Sequence, residues 1–307
     1  MPEIVSILRD AFDAFQLAAA ALGISVLAFG IITFAVKGRE AFEAASKAVA
    51  EIRLNLGFYF FDALFVAPGL GLVIAWVRSM IADHSLTILP ESVWQMAGLP
   101  ATFFAVLFIG DFISYGRHRV EHTRWFWPAH VIHHSDADMT WLTLSRFHPI
   151  NRLTTAAIDV SLMAILGFPT WALIANNLAR HYYGEFIHAD LPWTYGRFGR
   201  LFVSPVMHRW HHARDVVGAG SNFATIFSVF DYALGTYYVP GPCNVPLGVT
   251  DDQEPGKGLF RHLLHPFAAW TRALIGTDRP TTESVVGTSA SADIVEHAGA
   301  ALTGRTR

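Results

Sequence analysis

The sequence predicts an all-α integral membrane protein with about three transmembrane helices, a re-entrant helical hairpin and a cytoplasmic, histidine-rich helical cap. Composition is the first reason: 52% of the 307 residues are hydrophobic and only 15% are charged, whereas soluble domains average about 25% charged residues. The second reason is the presence of long, nearly uncharged segments in the first half of the chain. The third reason is the closely spaced groups of histidines after those segments, which also predict where the chemistry lies.

Three segments are long enough to cross a membrane as helices. Residues 14–36 are 23 residues without a charge, enough at 1.5 Å per residue to span a hydrocarbon core about 30 Å thick. Residues 56–77 are interrupted only by Asp62, and residues 93–114 carry Asp111 near their end. We therefore predict an N-terminal transmembrane region over residues 1–110.

The basic residues predict the orientation of these spans. Lys37, Arg39, Lys47 and Arg53 lie between the first two spans, so the positive-inside rule places that loop in the cytoplasm. The third span then returns the chain to the same side, where the histidines begin.

A further apolar segment, residues 153–178, lies within the histidine-rich region of residues 111–240. A single crossing would separate the histidines on opposite faces of the membrane. Gly167, Phe168 and Pro169 interrupt the segment near its middle, which favours two half-length helices that form a hairpin and return to the cytoplasmic side.

The C-terminal part is predicted to form a cap over residues 241–276 and a tail. Residues 258–275 mix apolar side chains with His262, His265 and Arg272, a composition typical of a helix on a membrane surface. Residues 277–307 are rich in Thr, Ser, Ala and Gly, which predicts disorder.

Composition also excludes several kinds of site. Cys243 is the only cysteine, so this chain alone forms no disulfide, no thiolate zinc ribbon and no iron–sulfur cluster. The net charge is −3 and no basic patch is interleaved with aromatic residues, so no nucleic-acid partner is expected.

Eight histidines form three groups with helical spacing. Residues three or four apart share a helix face, so each group can direct two or three imidazoles at one point. Burying so many imidazoles near a membrane is unfavourable unless something binds them. Imidazole suits zinc, copper, iron and nickel, and eight ligands exceed the needs of one zinc ion, so we predict two metal ions with open positions. The groups are His118 and His122; His130, His133 and His134; and His208, His211 and His212.

At this point the sequence resembles the fatty acid hydroxylase superfamily, which includes sterol desaturases, sterol methyl oxidases and alkylglycerol monooxygenase. DFISYGRHRVEHTRWFWPAHVIHHSDAD resembles the first two histidine boxes of that family, and RFHPIN its Arg-x-His-Pro continuation. FIHADLPWTYGRFGRLFVSPVMHRWHHARD and NFATIFSVFDYALGTYY resemble its last box and closing segment. Ala224 departs from the pattern, because a glycine is expected after Asn222 and Phe223.

The resemblance implies a site that holds two iron ions. The eight histidines would be ligands, and His188, in FIHAD, would be a ninth. His148 and His181 are candidates for a supporting role. Asp111 and Asp159 are candidates to orient ligand N–H groups, since metal-bound imidazoles usually donate their other N–H to a carboxylate or carbonyl. Asp111 is favoured because it shares a helical stripe with His118.

The resemblance also implies an activity, which is O2-dependent hydroxylation or desaturation of a lipid such as a sterol, fatty acyl or alkyl lipid. The chain has no recognisable electron-transfer motif, so we expect a separate donor, a ferredoxin or a cytochrome b5-type protein. The compartment would be the bacterial inner membrane or the endoplasmic reticulum, according to the source, with the site on the cytoplasmic side.

Two other interpretations stay open at the level of sequence. His118, Glu121 and His122 fit the H-x-x-E-H pattern of a zinc hydrolase, in which the glutamate is the general base. A metal transporter is the non-enzymatic alternative, and it would spread histidines through the spans at several depths.

Overall fold

The computed structural model describes residues 2–214 and 220–276, and over those ranges the secondary structure is helical, with a single isolated β-bridge between Ala213 and Leu247 and no strand. The predicted all-α fold class is therefore confirmed. The predicted tail, residues 277–307, lies outside the described residues.

Three long helices contain the predicted spans, and each is apolar and long enough to cross a membrane. The first is α1 (Pro2–Lys37), and the short α2 (Glu40–Lys47) follows it. The second consists of α3 (Val49–Phe61), a π-helical turn (Asp62–Val66) and α4 (Ala67–Asp83). The third is α5 (Glu91–Glu121), which bends at Gly98 and Pro100.

The hairpin is present as a pair of helices, and it is longer than predicted. Its first arm comprises α7 (Pro149–Thr155), a π-helical turn (Ala156–Val160) and α8 (Ser161–Ile165), and its second arm is α9 (Thr170–His188). The amide of Ile88 donates to the carbonyl of Ile165, so the hairpin tip lies beside the loop that joins α4 to α5. Helix in the two arms extends beyond residues 153–178 at both polar ends, and the re-entrant path of the hairpin in a membrane stays a prediction.

The tip requires glycine at one position. Gly167 has φ +77°, and a Cβ built there would lie 1.9 Å from the carbonyl oxygen of Leu89. Only a residue without a Cβ allows the hairpin and the 84–90 loop to approach this closely.

The cap lies at the other end of the helices, where α5 ends and the hairpin begins and ends. It contains α6 (Trp127–His134), α10 (Pro205–His211), α11 (Val229–Ala233), α12 (Leu259–Leu274) and 3₁₀ turns at Trp141–Ser145 and Gly196–Arg200. The fully buried Arg146 ties the cap to α3 through a hydrogen bond of 2.6 Å to Asn55 Oδ1 and an ion pair with Glu51.

The predicted surface helix corresponds to α12. Its exposed side includes Phe260 and Leu274, while His262 is buried against Phe58 of α3. The helix is therefore amphipathic, as a membrane-surface helix must be, and its position on a membrane stays a prediction.

Candidate metal centre

The nine histidines predicted as ligands come together at the inner side of the cap, in two groups. Within each group the nitrogen atoms that face the centre all lie within 4.8 Å of one another. We call them the five-histidine cluster and the four-histidine cluster. The five-histidine cluster contains His118, His122, His130, His134 and His211. The four-histidine cluster contains His133, His188, His208 and His212.

The two H-x-x-H-H boxes are each divided between the clusters. His130 and His134, four residues apart on α6, point into the five-histidine cluster, while His133 points into the other. The last box does the reverse, since His208 and His212 share the four-histidine cluster and His211 joins the five-histidine one. Each H-x-x-H-H box therefore directs two imidazoles at one cluster and the third at the other, because adjacent residues on a helix point about 100° apart.

Several ring nitrogens in the centre face each other or have no partner. In the five-histidine cluster the Nε2 atoms of His118 and His130 are 3.0 Å apart. In the four-histidine cluster His188 Nε2 lies 3.1 Å from His133 Nε2 and 2.9 Å from His208 Nε2. Buried ring nitrogens without a hydrogen bond include His122 Nε2, His134 Nε2, His211 Nε2 and both nitrogens of His212.

The buried ring nitrogens without partners test whether the two clusters fit a metal ion. A buried polar atom without a partner is unfavourable, and one neutral imidazole can donate only one proton among the lone pairs that converge on it. A cation at the middle of each cluster would satisfy the converging lone pairs. The residues present therefore fit one metal ion per cluster.

The clusters are direct neighbours. The rings of His134 and His212, one from each cluster, stack with their centroids 4.4 Å apart, and those of His130 and His133 are 5.5 Å apart. Two metal ions held in this way would share one reaction space.

Backbone carbonyls fix the orientation of three ligand rings. Nδ1 of His118 lies 2.8 Å from the Phe223 carbonyl oxygen, Nδ1 of His188 lies 2.6 Å from that of Gly184, and Nδ1 of His211 lies 2.6 Å from that of Ser221. A carbonyl only accepts, so Nδ1 carries the proton and Nε2 is left with a lone pair that could bind a metal in each ring. Sequence patterns do not reveal these partners, because any residue supplies a carbonyl.

Among the described residues, Glu121 is the carboxylate nearest to a ring of the two clusters. Its Oε2 atom lies 3.5 Å from Nδ1 of His130 and accepts a hydrogen bond of 2.7 Å from Arg117, while Thr154 donates to its other oxygen. Arg117 also donates to Asp159 at 3.0 Å. Asp159 is therefore linked to the His130 ring only through two intervening residues, Arg117 and Glu121, and does not contact that imidazole directly.

Asp111 is fully buried and does not contact a ligand imidazole among the described residues. Its carboxylate pairs with Arg180 and accepts hydrogen bonds of 2.7–3.2 Å from the amides of residues 225–227. The predicted direct contact with a ligand is thus corrected. Asp111 holds the segment whose Phe223 carbonyl orients His118, and the helical stripe identified the residue without identifying its partner.

His148 and His181 lie outside both clusters. His148 caps α7, because its Nδ1 accepts from the amide of Ile150 and its Nε2 donates to the carbonyl of Leu263. His181 Nε2 lies 3.5 Å from Glu185 Oε1, and the His181 side chain is 41% exposed. Both nitrogens of His148 are therefore used in the protein framework.

Asn222 and Asp231 shape the closing segment. Asn222 has φ +60° and donates to the carbonyls of Met207 and Tyr238, while Asp231 accepts from the amides of Phe223 and Ala224. Ala224 does not adopt a positive φ, so the glycine expected from the family pattern is not needed for this backbone.

Electrostatics favour neutral imidazoles in the cap. Burial lowers the pKa of His130, His133, His134, His208, His211 and His212 below the ordinary value, and nearby histidines lower it further in each case. Neutral imidazole is the form that binds a metal. The histidines of the cap can therefore bind cations without first losing a proton.

The fold and the site define a class: a multi-pass helical membrane protein with two buried, adjacent histidine clusters that could each hold a metal ion. Residues 103–236 match the family model described as "Fatty acid hydroxylase", and this range contains all nine clustered histidines. Over this range the chain is similar to the fatty acid hydroxylase family, in agreement with the resemblance of its histidine boxes.

Several named proteins are similar in sequence to part of this chain. The ornithine lipid hydroxylase OlsE of Rhizobium tropici is 28% identical over 185 residues, which is 59% of this chain and 55% of the relative. The alkylglycerol monooxygenase of Caenorhabditis elegans is 28% identical over 149 residues, 47% of this chain and 29% of the relative. Methylsterol monooxygenase 2-2 of Arabidopsis thaliana is 25% identical over 155 residues, 48% and 55% respectively.

The matches are therefore partial on both sides, and the chain spans about half the length, or less, of these relatives. No solved structure matches the chain.

Proposed function

We propose that this protein is an O2-dependent lipid oxygenase that holds one iron ion in each histidine cluster. The main support is the pair of adjacent, buried clusters of five and four imidazoles. Their ring nitrogens converge, and several of the Nε2 atoms have no hydrogen-bond partner. Lipid hydroxylases and monooxygenases among the relatives support the reaction class.

Each part of the chain has a role in this proposal. The iron ions, when bound, supply the O2 chemistry that removes hydrogen from an unactivated C–H bond. The imidazoles hold the ions, and the Phe223 ring packs 5.0–5.6 Å from the His118, His122 and His211 rings. This apolar packing excludes water, which protects the reaction from side reactions.

The proposed substrate is a lipid. The relatives are named for an ornithine lipid, an alkylglycerol and a methylsterol, so an apolar molecule with a polar end is the feature they share. We propose hydroxylation as the outcome, with desaturation as the alternative that the same ligands permit.

Electrons are proposed to come from a separate protein, either a ferredoxin or a cytochrome b5-type protein. The chain's single cysteine cannot hold an iron–sulfur cluster by itself. Turnover by the purified chain with NAD(P)H alone would contradict this part of the proposal.

The two alternatives are less well supported. For a zinc hydrolase, Glu121 would have to be a free general base, but Arg117 and Thr154 occupy its oxygens. For a transporter, ligands should line a path across the helices, but the nine clustered histidines lie together at one end of them.

The test of function compares lipid extracts of cells that express the wild type, a His133→Ala/His211→Ala double variant, and His262→Ala. His262 is buried but lies outside both clusters, so it controls for the loss of a buried imidazole. A lipid that gains one oxygen only with the wild type and the control supports hydroxylation, and one that loses two hydrogens supports desaturation. An iron-loaded protein with its donor that changes no lipid would contradict the proposal.

We also propose that the histidine end faces the cytoplasm, on the basis of the basic loop after α1. In a Cys243→Ser background, Ser85→Cys and Lys257→Cys place single thiols at exposed positions on the two ends. A membrane-impermeant maleimide added to intact cells should label only the first. Labelling of only Lys257→Cys would reverse the orientation.

A further inference from the structure

A charged pair lies between the apolar helices, one turn into the hairpin from the histidine centre. Arg152 of α7 donates through Nε to Asp62 at 3.0 Å, and Asp62 begins the π-helical turn between α3 and α4. Their side chains are 33% and 24% exposed. Charged groups at membrane depth are rare, and by default they mark a functional site.

The pair leaves part of Arg152 unused. Asp62 occupies only Nε, and among the described residues no hydrogen bond to the terminal nitrogens of the guanidinium is present. An arginine presents five N–H donors in a planar fork that matches carboxylate and phosphate groups. The free edge of Arg152 is therefore a ready binding site for an anionic oxygen group.

An apolar groove lies between α4 and the first arm of the hairpin, and Leu153, the residue after Arg152, forms part of its wall. Val73 and Val77 of α4 line one side, and Leu153, Ala157 and Val160 of the hairpin's first arm line the other. Leu153 directly follows Arg152, and both helices run from the histidine end toward the 84–90 loop. A lipid with its headgroup on Arg152 would thus have a tail along the groove, pointing toward the middle of the membrane.

Phe147 connects this position to the metal centre. Its ring stacks on His133 with centroids 4.2 Å apart, and the guanidinium carbon of Arg152 lies 5.3 Å from the same ring centroid. These two distances place Arg152 within about 10 Å of a ligand of the four-histidine cluster.

We propose that Arg152 binds the anionic phosphate or carboxylate of a lipid headgroup, with one chain of that lipid in the groove between α4 and the hairpin. The inference rests on the proposed lipid oxygenation and names the class of substrate. It has a positional consequence: the oxidised carbon lies in the headgroup or in the first few carbons beyond it, because the anchored group sits so close to the centre.

Binding is measured without turnover, on the full iron-loaded chain in a neutral detergent, under anaerobic conditions and without a donor. The ligands are dodecyl phosphate, dodecyl glucoside as the uncharged match, and inorganic phosphate as the headgroup alone. The readout is the ligand-dependent rise in the thermal unfolding midpoint, fitted to an apparent Kd. Four proteins are compared: wild type, Arg152→Gln, Asp62→Asn and Arg124→Gln, in which Arg124 is an exposed arginine over Trp125 of the cap.

The wild type should bind dodecyl phosphate about tenfold to a hundredfold more tightly than dodecyl glucoside, as hydrogen bonds to a charged group imply. Arg152→Gln should lose this preference and Arg124→Gln should keep it. Asp62→Asn is decisive, because removal of the competing carboxylate should preserve or increase the preference. A purely structural ion pair predicts instead that Asp62→Asn and Arg152→Gln behave alike, and that result would overturn the proposal.

Competition by inorganic phosphate distinguishes a site for a lipid headgroup from a site for a free phosphate ion. Competition by millimolar phosphate as strong as that by dodecyl phosphate would overturn the role of the groove, whereas weak competition supports a lipid ligand. If Arg152→Gln fails to retain iron, the Asp62→Asn variant still tests the proposal. Loss of the preference for dodecyl phosphate in Asp62→Asn would contradict an anion site at Arg152.

The position of the oxidised carbon is determined from the lipid product. Fragmentation of the oxidised lipid should place the new oxygen in the headgroup or the adjacent carbons, and oxygen near the methyl end of a chain would overturn the placement. No oxidised lipid at all would count against the proposed function, while the binding measurement would stand by itself.

Discussion

Replacement of Asp111 by asparagine tests how the ligand shell is supported. The carboxylate is fully buried, pairs with Arg180 and accepts from three successive backbone amides. Asparagine keeps the shape and one accepting oxygen, but it leaves the Arg180 charge without its partner. Breaking a buried ion pair by removing one member costs about 3–5 kcal/mol.

Asp231→Asn is the matched control. Asp231 is equally buried and accepts from the amides of Phe223 and Ala224, but the described structure gives it no basic partner. Burial raises the pKa of Asp231 to about 7, so near neutral pH much of this carboxyl is already uncharged. Its amide variant should therefore cost only about 1 kcal/mol, the typical net value of a neutral hydrogen bond.

The assay is thermal unfolding of both variants in the same detergent, together with iron content after dialysis against a chelator. Asp111→Asn should unfold at a clearly lower temperature than Asp231→Asn and should lose iron faster, because the displaced segment no longer presents the Phe223 carbonyl to His118. Full iron retention and unaltered unfolding in Asp111→Asn would refute this account of the support.

Three further predictions follow from the same contacts. His122→Ala and His133→Ala, which affect different clusters, should each lower bound iron from two ions to about one per chain, and His262→Ala should not; loss of both ions in either single variant would argue against separate sites. Gly167→Ala should prevent correct packing of the hairpin tip, since its Cβ would overlap the Leu89 carbonyl, and wild-type yield and unfolding temperature would contradict this. Because the folded pKa of Asp231 lies above the ordinary value of 3.8, the native state binds the extra proton between about pH 4 and 7, so this group's contribution to stability falls as pH rises through that window. Asp231→Asn should flatten that part of the pH–stability curve, and an unchanged slope would contradict it.

The sequence predicted which histidines come together, because most of that information is local. Spacings of three and four residues mark shared helix faces for eight of the histidines, the family resemblance added His188, and all nine lie in the two clusters. That they bind metal stays a prediction. The division of each H-x-x-H-H box between two clusters was not predicted, because it depends on how α6 and α10 face each other across the centre. That orientation is a property of tertiary packing.

The supporting residues show the limit of sequence reasoning more clearly. Asp111 was identified from its helical stripe, yet its partners come from Arg180 and a segment more than a hundred residues away. Among the described residues, Glu121 has the carboxylate closest to a clustered histidine, but within the H-x-x-E-H pattern it resembled a catalytic base. In the fold, its oxygens are occupied by Arg117, four residues earlier on α5, and by Thr154, which only the packing of the hairpin on α5 brings to it.

Iron content of the anaerobically purified full chain, measured by elemental analysis together with Mössbauer spectroscopy, is the decisive test of the proposed metal centre. We expect two iron ions per chain, in two nitrogen-rich environments that correspond to the five- and four-histidine clusters. A single zinc ion per chain, with no iron bound after reconstitution, would contradict it.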